Sequence, residues 1–236
     1  MNLELFHYTS GIIGGAVTLL GFMFYCWYLL TVSHARPARV GWIIWSIVTF
    51  LTMIFHASAN NAAFDPFSFI SQLPTLTTHT PTMFFAIGNF VGCTAVALLA
   101  LWRGKGGWTS IDKFSLVGAI VSIFLWLISG SGLLALIVSL CADFCGAIPT
   151  IEHASCEPGG ESRLAWGTFA VGTIITGGGI GALTIEECAF PMYFLFIDCF
   201  IVFIVLFPNS RLTLWTRNKY EQFKNWHERT FTPQPL

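Results

Sequence analysis

Two carboxylates inside long apolar stretches are the residues of this chain best suited to chemistry. Asp143 and Asp198 are flanked on both sides by apolar side chains. An ionisable group at bilayer depth costs a few kcal/mol and usually faces a cavity or a partner. Either aspartate could bind a polar solute or take up a proton during a transport cycle. Alternatively, each cross-links neighbouring helices through hydroxyls such as Ser122, Ser139 or Thr173.

An internal repeat relates the stretches that carry these residues. Residues 24–35 have the sequence FYCWYLLTVSHA and residues 143–154 have DFCGAIPTIEHA, so that Cys, Thr, His and Ala recur at one spacing. After a short insertion, RVGW at 39–42 corresponds to RLAW at 163–166. Repeats of this length on apolar segments are typical of transporters built from two related halves.

The composition is typical of an integral membrane protein. Of the 236 residues, 55% are hydrophobic and only 10% are charged, whereas soluble domains carry about a quarter charged residues. A helix needs roughly 20 apolar residues to cross a bilayer. The sequence predicts seven such spans, at 10–31, 39–58, 81–102, 112–129, 132–151, 164–184 and 190–207.

The placement of charge favours the count of seven. With seven spans, all 11 Lys and Arg residues fall on one side of the membrane, and the other side carries only Glu4, Asp65, Glu186 and Glu187. Basic residues concentrate in cytoplasmic segments, so we expect an outer N-terminus and a cytoplasmic C-terminus. The compactness of the chain favours a bacterial inner membrane for this multi-pass protein.

The repeat and the seven spans together predict the architecture. We expect an all-α integral membrane protein with two parallel three-helix bundles, at 1–102 and 132–207. A linker helix within 103–131 would restore the orientation of the second bundle, and 208–236 would form a cytoplasmic amphipathic tail. The aromatic and basic composition of that tail favours a helix on the membrane surface, although a protein-binding tail stays open.

A motif at the end of the fifth span resembles the PQ-loop and SWEET-like superfamily of small membrane transporters. It consists of Ile148-Pro149-Thr150-Ile151, followed by a polar loop and Glu161-Ser-Arg-Leu-Ala-Trp166. The chain departs from the family pattern in two places. Thr150 replaces the usual glutamine, and Leu30 replaces the proline of the first half.

The resemblance implies a secondary transporter or facilitator of a small polar solute, working by alternating access. Family members line their substrate site from the third and seventh helices, which implies Asn89 and Asp198 here, with Asp143 as a further candidate. Pro149 would be a hinge, since proline removes a helix hydrogen bond, or it would simply end the helix. Some proteins of this architecture are receptors or accessory subunits, which is the alternative function.

Four further features carry predictions of their own. His56 near the outer end of span two would line an outer vestibule. The repeated His34 and His153 would cap helix C-termini, where cations are favourable, rather than sense pH. The glycine run at 177–181 would let a neighbouring helix approach closely, or would flex. The outer segment 59–80 would be a connector or cover an entrance.

Missing motifs narrow the function. The chain has no nucleotide-binding P-loop, no metal-ligand spacing of cysteine or histidine and no recognisable catalytic motif. We therefore expect no enzyme activity, no cofactor and no nucleic-acid partner. The expected partners are a small polar solute and membrane lipid, while a homodimer or a membrane protein partner stays open.

Overall fold

The computed structural model describes residues 2–33, 35–156 and 161–231, and this part of the chain is all-helical. Its helices are α1 (Leu3–Thr31), α2 (Arg39–Asn60), α3 (Phe69–His79), α4 (Met83–Arg103), α5 (Ser110–Ser129), α6 (Gly132–Cys156), α7 (Arg163–Gly177), α8 (Ile185–Leu206) and α9 (Arg211–Phe231). Of the repeated histidines, His34 and the side chain of His153 lie outside the described part.

Six helices of the described chain are long and apolar enough to cross a membrane, namely α1, α2, α4, α5, α6 and α8. They coincide with six of the seven predicted spans, so the prediction of a multi-pass, all-α membrane protein is confirmed at this level. The remaining predicted span, 164–184, corresponds to α7, which has only 15 residues. At about 1.5 Å per residue it is shorter than the roughly 30 Å hydrocarbon core.

The glycine run explains why α7 is short. The helix ends at Gly177, and the chain turns at Gly178 and Gly179 against the start of α1. A methyl group on Gly178 would lie 2.9 Å from the Ser10 hydroxyl, and one on Gly179 would lie 3.3 Å from the Cα atom of Gly11. The close approach favoured by the sequence is therefore present at this site.

Six helices pack in a closed ring. Its order is α1, α4, α2, α6, α8, α7 and back to α1, while α5 packs outside the ring against α6 and α2. We call the end of the ring where α1, α4, α6 and α8 terminate the basic end. Every Lys and Arg lies in the connections or terminal turns at this end, or in α9.

The helix α1 packs against its two neighbours almost backbone to backbone. A methyl group on Gly15 would lie 2.6 Å from the carbonyl oxygen of Phe84, next to α4 in the ring. One on Gly14 would lie 2.8 Å from the backbone nitrogen of Thr176 in α7. Because small residues are what allow such contacts between membrane helices, α1 is fixed to both neighbours by glycine.

Gly15→Ala is expected to lower the free energy of unfolding in detergent by about 2–3 kcal/mol, because the backbone of α4 must shift to admit the methyl group. Gly167→Ala in α7 is the matched control, since nothing lies within 4 Å of that position. It should leave stability unchanged or raise it by up to about 1 kcal/mol, the helix preference of alanine over glycine. A Gly15→Ala protein as stable as the control would refute the close helix contact.

The segments outside the ring include one helix that the sequence analysis missed. α3 lies within 59–80, where only a connector or a cover was expected. Its threonines and the internal Pro74 disfavour helix, so neither periodicity nor propensity predicts it. At the basic end, α9 occupies the predicted tail, and the Arg217 guanidinium fixes it to α6 by donating to the Ser155 carbonyl.

Candidate functional site

A small cavity lies inside the ring, lined by side chains of α1, α2, α4, α7 and α8. Its volume is about 30 Å³, enough for one or two water molecules and too small for a sugar or an amino acid. Aromatic rings form most of its wall, and both Asn89 and Asp198 line it. Two of the three residues predicted to bind substrate are therefore brought to one space.

The lining follows the internal repeat more closely than the sequence alone indicated. In the repeat, Trp42 corresponds to Trp166 and Trp45 corresponds to Phe169 at the same spacing along the chain. All four residues line the cavity. Likewise, Phe85 corresponds to Phe194 and Asn89 corresponds to Asp198 at a second shared spacing, and these four residues also line the cavity. The sequence did contain a signal for this alignment, because a phenylalanine stands four residues before both Asn89 and Asp198. Aligning Pro81 with Pro191 instead shifts the two halves by one residue.

Asn89 has an unusual hydrogen-bond state. It is 6% exposed, and its side-chain oxygen has only a weak contact with the Cys93 thiol, at 3.9 Å. Its amide nitrogen is the one buried side-chain polar atom in the described part of the chain that has no hydrogen-bond partner. A buried donor without an acceptor costs about 1–3 kcal/mol, so such a group calls for an explanation.

Asp198 faces the same cavity but has a protein partner. Its side chain is buried and accepts a hydrogen bond from the Thr173 hydroxyl. This contact ties α8 to α7 and uses a hydroxyl that the cross-linking interpretation named. The carboxyl group is therefore both a helix cross-link and part of the cavity wall.

Asp143 lies outside the cavity lining and has two strong donors. It is fully buried in α6, and its two oxygens accept from the Trp45 indole N–H and the Tyr193 hydroxyl, each at 2.7 Å. The carboxyl group thereby joins α6 to α2 and α8. Sequence analysis missed Trp45 and Tyr193, because indole and phenol groups are common in membrane helices and no spacing singled these out.

His56 and Pro149 occupy their predicted helices. His56 is fully buried, 2.9 Å from the Thr82 hydroxyl, and it stacks on Phe190 at 4.8 Å between ring centroids. A vestibule role, which stays a prediction, requires Phe190 to move. The helix α6 continues through Pro149 to Cys156, so the proline does not end it. Its role as a hinge also stays a prediction.

A buried glutamate at the basic end escaped the sequence analysis as a functional residue. Glu161 precedes α7, is 7% exposed, and accepts hydrogen bonds from the Trp166 indole at 2.9 Å and from the Tyr25 hydroxyl. Tyr25 in turn packs on Trp42, with ring centroids 5.3 Å apart. Burial raises the pKa of Glu161 from its ordinary 4.5 to about 7, although its two donors act in the opposite direction.

This shift predicts a pH dependence of stability. Because the unfolded chain ionises Glu161 near pH 4.5 and the folded chain only near pH 7, its contribution is fully present below pH 4.5 and is lost as the pH rises to about 7. The loss is at most about 3 kcal/mol. In Glu161→Gln, the free energy of unfolding in detergent should lack this decrease with pH. In Trp166→Phe, which removes a donor to the carboxylate, the decrease should extend to higher pH. An unchanged slope in Glu161→Gln would refute the assignment.

Comparison of the chain with protein-family models, with curated proteins and with solved structures gave no match.

Proposed function

We propose that the protein is a secondary transporter or facilitator of a small polar solute, which binds between Asn89 and Asp198. The observation that carries this proposal is the unpartnered amide nitrogen of Asn89 in the cavity that Asp198 also lines. A solute with one acceptor and one donor, such as a hydroxyl pair, an amide or a zwitterion, would accept from Asn89 and donate to Asp198. The free energy of a buried unsatisfied donor would then be recovered on binding.

The ring order supports a two-bundle mechanism. In each proposed bundle the third helix lies between the other two, giving the orders α1, α4, α2 and α6, α8, α7. The two most extensive contacts between the bundles are α1 with α7 and α2 with α6, and the internal repeat converts each of them into the other. This is the pattern of two parallel repeats about an axis normal to the membrane, with α5 as linker and 178–184 completing the sixth span. The resemblance to the PQ-loop and SWEET-like superfamily implies the same arrangement.

In this proposal the described conformation is closed at both ends. Tyr25, Trp42 and Trp166 with Glu161 close the basic end, which faces the cytoplasm by the charge rule. The His56 stack on Phe190 closes the other end. Rocking of one bundle against the other, with Pro149 as hinge, would enlarge the cavity from about 30 Å³ to the size of a solute.

A membrane receptor or accessory subunit is the second candidate. The small volume of the cavity favours an accessory subunit in particular, since a space for one or two water molecules admits no solute without a large rearrangement. The exposed Leu212, Leu214 and Trp215 of α9 would supply a surface for a partner or for the membrane. An accessory subunit would show neither solute binding nor flux, whereas a receptor would bind a solute without flux.

A ligand screen separates the two candidates. Purified protein is heated with a panel of polar metabolites at acidic and at neutral pH, because a solute that binds the native state raises its stability by mass action. A hit is then tested for flux in liposomes with Asp198→Asn and with Cys199→Ala, the neighbouring exposed position, as control. Binding and flux lost only in Asp198→Asn support transport. A folded protein with no hit, and with a stoichiometric partner that depends on α9, supports the accessory subunit.

A further inference from the structure

A second cavity lies at the basic end, outside the central site. It occupies the space where α1 ends, α2 begins and α4 ends, and its volume is about 520 Å³. Its lining consists of Leu30, Arg36, Arg39, Trp102, Arg103 and Gly104. Three of these six residues are arginines, and none of the described residues that line the cavity is acidic.

Two of the arginines are held in place by backbone carbonyls. Arg103 donates to the carbonyl oxygens of Leu29 at 2.6 Å and Leu30 at 2.8 Å, at the end of α1. Arg39 donates to the Gly104 carbonyl at 2.7 Å. A guanidinium group has five N–H donors, so both retain donors for a further acceptor. These bonds fix the positions of two positive charges before any ligand arrives.

The positive charge of this cavity has no protein counterion among the described residues. Arg36 is exposed and makes no hydrogen bond with any of them. Carbonyl oxygens compensate a guanidinium only partly, since they carry no net charge. Three such groups around one space therefore favour an anion with several acceptor oxygens, and arginine is suited to phosphate because it can bind two oxygens at once.

The rim of the cavity indicates where this anion comes from. Leu30 is 47% exposed and Trp102 is 76% exposed, although both lie at the ends of apolar helices that cross the membrane. Tryptophan at this level is typical of the zone between lipid tails and headgroups. A soluble anion would gain nothing from these apolar side chains, whereas lipid chains would cover them.

We propose that this cavity binds the phosphate headgroup of an anionic phospholipid. The guanidinium groups of Arg36, Arg39 and Arg103 contact the phosphate, and the acyl chains lie against Leu30 and Trp102. Basic pockets between membrane helices are a recognised type of lipid site. The second half of the chain supplies a matched comparison, because Arg163 corresponds to Arg39 in the internal repeat. The site is independent of the proposed transport function.

The test compares lipid binding of the wild type and three variants by native mass spectrometry and by thermal stability in detergent. Phosphatidylglycerol is titrated against phosphatidylcholine and against inorganic phosphate. Arg36→Gln is expected to weaken binding of phosphatidylglycerol about fivefold, the effect of one basic residue at an anionic membrane surface, and Arg36→Glu is expected to weaken it further. Arg163→Gln, also exposed at the basic end, is expected to bind as the wild type does.

Each other outcome overturns the proposal. Equal loss in Arg36→Gln and Arg163→Gln would mean general attraction of anionic lipid by the basic end. Unchanged binding in Arg36→Glu would place the lipid elsewhere. Equal stabilisation by inorganic phosphate would mean a soluble anion. Since Arg36 bonds to no described residue, its variants should keep the stability of the lipid-free protein, which the same heating experiment measures.

Discussion

Asp143→Leu is expected to lower the free energy of unfolding by about 2–6 kcal/mol. The Trp45 indole and the Tyr193 hydroxyl both donate to this buried carboxyl group. Leucine has no acceptor atom for either donor. Each buried donor left without a partner costs about 1–3 kcal/mol. The two costs add, because the donors come from different helices and no other described acceptor bonds to them.

Asp143→Asn separates the hydrogen bonds from the charge. The amide oxygen still accepts from the Trp45 indole, which can only donate. The Tyr193 hydroxyl can reverse and accept from the new amide N–H, so the loss should stay below about 1 kcal/mol. Tyr193→Phe in the asparagine background should then cost a further 1–3 kcal/mol or so. Equal stability of the leucine and asparagine proteins in denaturant titration would contradict this network.

The asparagine variant also decides what Asp143 does. If the residue only joins α6 to α2 and α8, Asp143→Asn keeps full solute flux. If it takes up a proton in the transport cycle, flux is lost at nearly unchanged stability, since an amide does not titrate.

The membrane helices were predictable because their signal is local. A run of about 20 apolar residues identifies a span whatever its neighbours are, and six spans were found in this way. The end of the helix in the sixth predicted span was not predictable, because hydropathy does not register the turn that the glycines from Gly177 onwards permit. α3 was missed for the opposite reason, since its polar threonines and Pro74 give it neither apolar length nor helix propensity.

The candidate site was predictable only in part. Asp198 stands out as a carboxylate within an apolar stretch, whereas Asn89 was named because the family resemblance implied a site on the third and seventh helices. Their convergence on one cavity depends on helix order and rotation, for which the sequence offered the internal repeat. Partners such as Trp45 and Tyr193 depend on side-chain direction across helices. Glu161 was missed because loop glutamates are usually exposed, and its burial arises from rings on α1 and α7.

Asn89→Leu is expected to move stability and binding in opposite directions. Leucine keeps the branching of asparagine, its larger methyl groups extend towards the cavity, and it removes the buried amide nitrogen that has no partner. The free energy of unfolding should therefore rise by about 1–3 kcal/mol. Solute affinity should fall about tenfold to hundredfold, the contribution of one buried hydrogen bond, when measured with the hit from the ligand screen.

Asn60→Leu is the matched control, because its amide nitrogen is satisfied. It donates to the carbonyl oxygens of His56 at 2.9 Å and Glu186 at 3.0 Å, so leucine should destabilise the protein by about 1–3 kcal/mol. Both changes replace asparagine by leucine in a ring helix, with the amide satisfied at the half-buried end of α2 and unsatisfied in the buried middle of α4. A loss of stability in Asn89→Leu as well would mean that a bound water satisfies Asn89, and unchanged solute affinity would refute the site. A gain of stability with a loss of binding is what a donor reserved for solute requires.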